Sequence, residues 1–237
     1  MIQTREIDYR DENTVCKGYV AFDDSIAAPR PAVLVSHMVG GREEFVENKA
    51  RQLAALGYVG FALDMYGEGR RGATLEESRA LMRSLLDDRA LLARRIRAAL
   101  TAVRTLPEVD AARVAAIGFC FGGLCVLDLA RSGADVRGVV SLHGLLKGHD
   151  LPKQPITAKV LALHGHDDPL APPEDVRAFQ DEMTAAGADW QIHVYGGTQH
   201  AFTNPSAANP AAGLQYNPTA DRRAWRTLVA FLEEVLG

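Results

Sequence analysis

The chain has 237 residues, with 26 Lys and Arg against 30 Asp and Glu for a net charge of −4, 47% hydrophobic and 7% aromatic side chains. That balance belongs to ordinary folded proteins and excludes a disordered chain or a collagen-like fibre; the length suits one domain over 1–237 that buries roughly 70 to 75% of the unfolded chain's surface. The negative charge argues against a duplex nucleic-acid partner, because such binding runs on counterion release from a basic face.

Residues 2–22 alternate irregularly and no helical pattern precedes position 32, which predicts one or two antiparallel strands at a sheet edge. From there apolar runs rich in Val, Leu and Ile recur at 32–35, 59–63, 114–117, 139–142, 160–163 and 192–195. They read as strands buried on both faces. Segments with helical spacing and charged outer faces lie at 44–56, 75–106, 121–130, 173–186 and 219–236. The alternation predicts βαβ units, a mostly parallel sheet and helices on both its faces. Two loops stand out, YGEGRRGA at 66–73 and the Pro-, Asn- and Ala-rich 203–218. Long loops at strand ends of such a sheet shape sites rather than separate domains.

Cys16, Cys120 and Cys125 form neither a paired framework nor a zinc or CxxC pattern, so at least one is a free thiol. The opening MIQTREIDYRDENTV lacks the basic-then-apolar pattern of a signal peptide, and the longest uncharged apolar stretch, 114–127, is too short to span a bilayer. No membrane association and a cytoplasmic home are expected.

The sharpest chemical feature is Gly118-Phe119-Cys120-Phe121-Gly122-Gly123, after one expected strand and before a helix. It has the form of a nucleophile elbow with cysteine in place of the commoner serine. The turn is tight enough to strain its central residue and to require glycine beside it. In return the nucleophile sits at a helix N-terminus, where N–H groups favour a thiolate. The bland alternative is a close helix–strand contact with Cys120 as a small core residue. A dinucleotide reading is weaker still, because the glycines are not spaced GxGxxG and no acidic residue ends the next strand.

In such folds an acid and then a histidine follow the nucleophile in chain order. Here Asp168 follows the strand at 160–163, and His200 follows the strand at 192–195. His200 would accept the thiol proton, and Asp168 would hold the imidazole tautomer. Either residue alone also reads as a turn cap or a solvated loop histidine; the order and the strand-end positions together favour the triad. His164-Gly165-His166-Asp167-Asp168 also fits an HxHxD metal pattern, but Pro169 stands at the next ligand position and a parallel sheet is not the β-sandwich that pattern needs, so no metal is expected.

With these residues in place, the sequence resembles the dienelactone hydrolase family of α/β-hydrolases over essentially its whole length, through GFCFGG, GHDDPLAP and YGGTQHAFTNP. The resemblance implies an α/β-hydrolase fold without a large cap and a Cys120–His200–Asp168 triad. It also implies an oxyanion hole made by the backbone N–H groups of Phe121 and Val39, no cofactor, and a pocket whose candidates are His37, Met38, Tyr66 and Asn204. Two positions depart from the family pattern. Met38 stands where the family often has a glutamate that contacts the thiol, so ionisation of Cys120 should lean on His200 and the helix terminus. Asn204 stands where dienelactone hydrolases carry a carboxylate-binding arginine, and the family's other arginine aligns with either Arg79 or Arg83, for which a solvated helix face is the simpler role. The expected reaction is therefore hydrolysis of neutral activated esters or lactones through a thioacyl-enzyme. Phosphotriester hydrolysis on the same triad, dienelactone hydrolysis proper, and a non-catalytic binding role are the alternatives. No residue pattern specifies an oligomeric state.

Overall fold

The structure, a computed structural model, describes residues 1–237. The chain divides into two compact units, residues 1–117 and 118–237.

The first unit opens with a hairpin of β1 (Ile2–Asp11) and β2 (Thr14–Asp23), paired antiparallel from Ile2↔Asp23 to Asp11↔Thr14. β3 (Arg30–Ser36) and β4 (Val59–Ala62) pair in parallel, while β2 pairs antiparallel with β4. With the start of β5 (Val109–Phe119) the strand order is β1-β2-β4-β3-β5. Ala32, Val33, Leu34 and Val35 of β3 are fully buried. Each such Val or Leu is stabilised by about 1.5 to 3 kcal/mol relative to exposure, which is why this run is apolar at every position rather than alternately. Helix α1 (Glu44–Ala55) packs on β4 through Val46, Ala50 and Leu53.

The helical stretch expected as one piece over 75–106 is two helices, α2 (Leu75–Leu86) and α3 (Arg89–Arg104). The break falls at Asp87-Asp88. The Asp88 carboxylate accepts the Leu91 N–H at 2.9 Å, capping α3, and an aspartate satisfies a helix start better than it serves a helix interior.

The second unit carries α4 (Phe121–Arg131), β6 (Gly138–Leu142), β7 (Lys159–Gly165), α5 (Pro173–Ala185), β8 (Trp190–Tyr195) and α6 (Pro218–Leu236). β6, β7 and β8 run parallel and adjacent, with Val140 opposite Leu161 and Leu163 opposite His193. α4 packs on β6, α6 on β6 and β7, and Phe179 of α5 meets Trp190 of β8 edge to face. β8 corrects one expectation. His193 and Val194 are exposed, because this strand is the last in its row and is covered less than β6 and β7.

Residues 203–218 are more ordered than a loop. They form a two-stranded ribbon of β9 (Ala208–Asn209) and β10 (Leu214–Gln215) around a 3-10 turn at Pro210–Ala212. No helix is long and apolar enough to cross a membrane.

Candidate active site

Cys120 stands between the end of β5 and the first turn of α4, at φ +56° and ψ −117°. A non-glycine residue is strained there and stays only where its surroundings over-determine it. They do: the Cys120 N–H donates to Leu142 O at 3.0 Å at the end of β6, and its carbonyl accepts the Gly123 N–H at 2.9 Å. The neighbouring glycines make the approach feasible. A Cβ on Gly118 would lie 1.9 Å from the Gly122 carbonyl oxygen, and one on Gly123 would lie 2.6 Å from Ser141 Oγ. The glycine pattern in the sequence therefore has a direct steric cause.

The turn after β7 supplies Asp168, and the turn after β8 supplies His200. Both side chains are buried, and the His200 Nδ1–H donates to Asp168 Oδ2 at 2.8 Å. The other carboxylate oxygen accepts the Leu170 N–H at 2.8 Å, which fixes the carboxylate plane. The His200 backbone is pinned by the ribbon, its N–H donating to Gly213 O at 2.9 Å and its carbonyl accepting from Gln215 N–H at 3.1 Å. The ring of His143, itself within 2.8 Å of Thr203 Oγ1, lies edge-on to the His200 ring at 5.2 Å. His143, at the end of β6, has the strand-end position from which a pocket or core histidine is expected, whereas the ribbon was hinted at only by the length of the 203–218 segment.

Asp168 occupies Nδ1, so the interaction that couples His200 to Cys120 falls to Nε2. That atom is buried and makes no hydrogen bond at rest. Burial pushes the Cys120 thiol up, but the nearby His200 charge and the Phe121 N–H outweigh it and hold the thiol below its ordinary value. Burial pushes the imidazole down, yet the Cys120 charge and the Asp168 hydrogen bond raise it to about 10. Both directions shift the balance from thiol and neutral imidazole toward thiolate and imidazolium. The other two thiols differ: Cys125 is buried in α4, and burial pushes Cys16 up to about 11.

Asn204 is half-buried, and its side-chain oxygen accepts the Ser206 N–H at 3.0 Å, capping a turn of its own segment. A cleft of about 340 Å³ in the same unit is lined by Arg131, His149, Leu151, Ile156 and Glu182 and includes none of Cys120, Asp168 or His200. Its arginine is already engaged by Asp128, Glu182 and the Leu146 carbonyl.

In the first unit, Met38 and Val39 are half-buried, whereas His37 and Tyr66 are buried with polar atoms committed to backbone groups. Arg79 and Arg83 are exposed on α2, as a solvated helix face requires. The loop arginines are held locally: Arg70 donates to the Gly67 and Tyr66 carbonyls, and Arg71 lies 3.7 Å from Glu47.

The dienelactone hydrolase family model matches residues 16–236. A dienelactone hydrolase-like promiscuous phosphotriesterase from metagenomic libraries is 37% identical, with a TM-score of 0.95, and the match covers 100% of this chain and 99% of that one. A putative carboxymethylenebutenolidase of Yersinia pestis is 30% identical over 196 residues, 78% of this chain and 73% of the relative. A probable 2-oxo-3-(5-oxofuran-2-ylidene)propanoate lactonase of Bradyrhizobium sp is 27% identical over 213 residues, 85% of this chain and 83% of the relative. The fold is accordingly the mostly parallel, eight-stranded α/β-hydrolase type. A family match over nearly the whole chain, together with these neighbours, establishes that the chain belongs to the dienelactone hydrolase family, hydrolases that act on ester bonds.

Proposed function

We propose that this hydrolase cleaves neutral, activated carboxylic esters or lactones through a thioacyl-enzyme formed on Cys120. The observation that carries the reading is the coupled arrangement of Cys120, His200 and Asp168, with the thiol lowered and the imidazole raised. The Cys120 thiolate attacks the carbonyl carbon, and the carbonyl electron pair moves onto oxygen. The Phe121 N–H, at the start of α4, is one donor to that oxyanion, and the family pattern assigns the second to Val39. Collapse expels the alcohol oxygen, which takes the proton from the His200 imidazolium. Water then attacks the thioester as His200 removes its proton, and the thiolate leaves. Asp168 keeps Nδ1 protonated throughout, so Nε2 faces the reaction.

No cofactor enters these steps. The reading includes a single functional domain over 1–237, supported by relatives that match along the whole length. A reducing compartment such as the cytoplasm suits a nucleophile that must stay a free thiol. A second reading, turnover of neutral phosphotriesters on the same residues, is supported by the 37% identical promiscuous phosphotriesterase.

The test is direct. Mass spectrometry of protein quenched during p-nitrophenyl ester turnover should find the acyl group on the peptide containing Cys120. Cys120→Ala should lower turnover by about four orders of magnitude or more, since residues of a triad act as a unit, whereas Cys125→Ala should keep it. Acyl label on another residue, or loss of activity only in the Cys125 variant, would remove the assignment.

A further inference from the structure

The end of β6 joins the three turns that carry Cys120, Asp168 and His200. His143 follows the strand directly, at φ +38°, a backbone region that few side chains adopt. Its N–H donates to Leu163 O at 2.8 Å on β7, the strand that leads to Asp168. The carbonyl just before it, on Leu142, accepts the Cys120 N–H at 3.0 Å. The side chain reaches the third turn, where Nε2 and the Thr203 hydroxyl share a hydrogen bond of 2.8 Å. The ring is fully buried, with its centroid 5.2 Å from both the His200 and the Phe202 rings, at 69° and 76°, and 6.1 Å from Phe119 beside the nucleophile.

Asp168 holds one edge of the His200 ring through Nδ1, and that single bond leaves the plane of the ring able to pivot about it. The opposite nitrogen, Nε2, is buried without a partner, and a buried polar atom in that state turns toward any partner within its reach. The His143 ring stands across the His200 ring and blocks the pivot. Thr203 in turn keeps the His143 ring from rotating, and its own buried hydroxyl gains a partner that it would be costly to lack. A phenylalanine here would supply the wall without the tether. Histidine supplies both.

We infer that His143 is a positioning residue, tethered by Thr203, that sets the plane of the His200 imidazole for proton exchange with the Cys120 thiol. This rests on the proposed reading of His200 as the base that serves Cys120. Asp168 fixes which nitrogen carries the proton, and His143 fixes where the other nitrogen points.

The experiment separates positioning of His200 from support of the fold. His143→Asn removes the ring and keeps a residue type that tolerates positive φ. Its kcat for p-nitrophenyl acetate should fall about 10-fold or more, with KM within about twofold, since a well-placed general base supplies about 10²- to 10⁴-fold and a pivoting one forfeits part of that. Thr203→Val keeps the shape and removes the tether, and should cost about fivefold in kcat, the scale of one neutral hydrogen bond. In the His143→Asn background it should cost nothing further. Alkylation of Cys120 by iodoacetamide at a fixed neutral pH should slow in His143→Asn. The same substitution made in His200→Ala should leave the alkylation rate unchanged, because no imidazole remains to be positioned. Unchanged kcat in Thr203→Val would overturn the inference, whatever the stability of His143→Asn. So would equal slowing of alkylation with and without His200, because His143 would then be holding the elbow itself. Ester hydrolysis that survives complete alkylation of Cys120 in the wild type would instead remove the proposed reaction, and the inference with it.

Discussion

The His200 imidazole and the Asp168 carboxylate share a 2.8 Å hydrogen bond between two loops that leave adjacent parallel strands, β7 and β8. The bond is buried and the carboxylate has a second fixed donor in the Leu170 N–H. Asp168→Asn should preserve the shape of the site but present a carboxamide that can donate toward Nδ1 and so stabilise the wrong tautomer. Turnover of p-nitrophenyl esters should then drop by about 10³- to 10⁴-fold, with the thermal midpoint little changed. A loss below about tenfold would mean that His200 needs no orienting partner.

The pH dependence of thiol reactivity follows from the same coupling. Cys120 lies below its ordinary value chiefly because His200 offsets the effect of burial, so its thiolate persists to lower pH than that of a free thiol and is lost as pH falls through that lowered value. His200→Ala leaves the burial and removes the offset. The inflection in the rate of iodoacetamide alkylation against pH should therefore move upward in the variant. An inflection that stays in place would assign the thiolate to the Phe121 N–H and helix terminus alone.

Gly118→Ala tests the steric account of the elbow. A Cβ at this position would sit 1.9 Å from the Gly122 oxygen, inside any real contact distance and against backbone that cannot swing away. The variant should be destabilised by about 3 kcal/mol or more. A differential scanning measurement should show the midpoint lowered by at least about 5 °C. An unchanged midpoint would mean that the elbow is looser than described.

Much of this was legible in the sequence because steric and burial demands act locally. Gly118 and Gly123 mark the elbow since no side chain fits there, and the uninterrupted apolar runs at 32–35 and 160–163 mark strands covered on both faces. What was not legible depends on partners distant in sequence. Nothing near His200 announces that Gly213 and Gln215 hold its backbone, and the apolar residues Ile192 and Val194 of β8 do not announce that this strand lies at the end of its row, with Val194 exposed. The break at Asp88 was visible in principle as an aspartate followed by an apolar stripe, but the helical period runs through it on both sides. His37 and Tyr66 look like pocket residues by position in the chain. Their polar atoms are committed to backbone groups, which a linear pattern cannot display.

Substrate charge is the most exposed prediction, because it joins the departures at Met38 and Asn204 to the local commitments of the arginines. An ester with a free carboxylate near the scissile bond would have to leave water, and a partly buried unpaired charge costs several kcal/mol. Asn204 offers no cation, and its side-chain oxygen is already used by Ser206. Arg70 is tied to the carbonyls of Tyr66 and Gly67, and Arg79 and Arg83 are exposed on α2. Neutral p-nitrophenyl esters should therefore show a higher kcat/KM than matched dicarboxylic half-esters. Asn204→Arg should narrow the gap by about 1 to 3 kcal/mol, the scale of a charge-assisted hydrogen bond, and should do so mainly through KM for the half-ester. Added salt should weaken that gain, since an ion pair at a half-exposed position is screened. A wild-type preference for the half-ester would refute the account and would direct attention to Arg71, whose contact with Glu47 at 3.7 Å is the loosest of the loop arginines' ties.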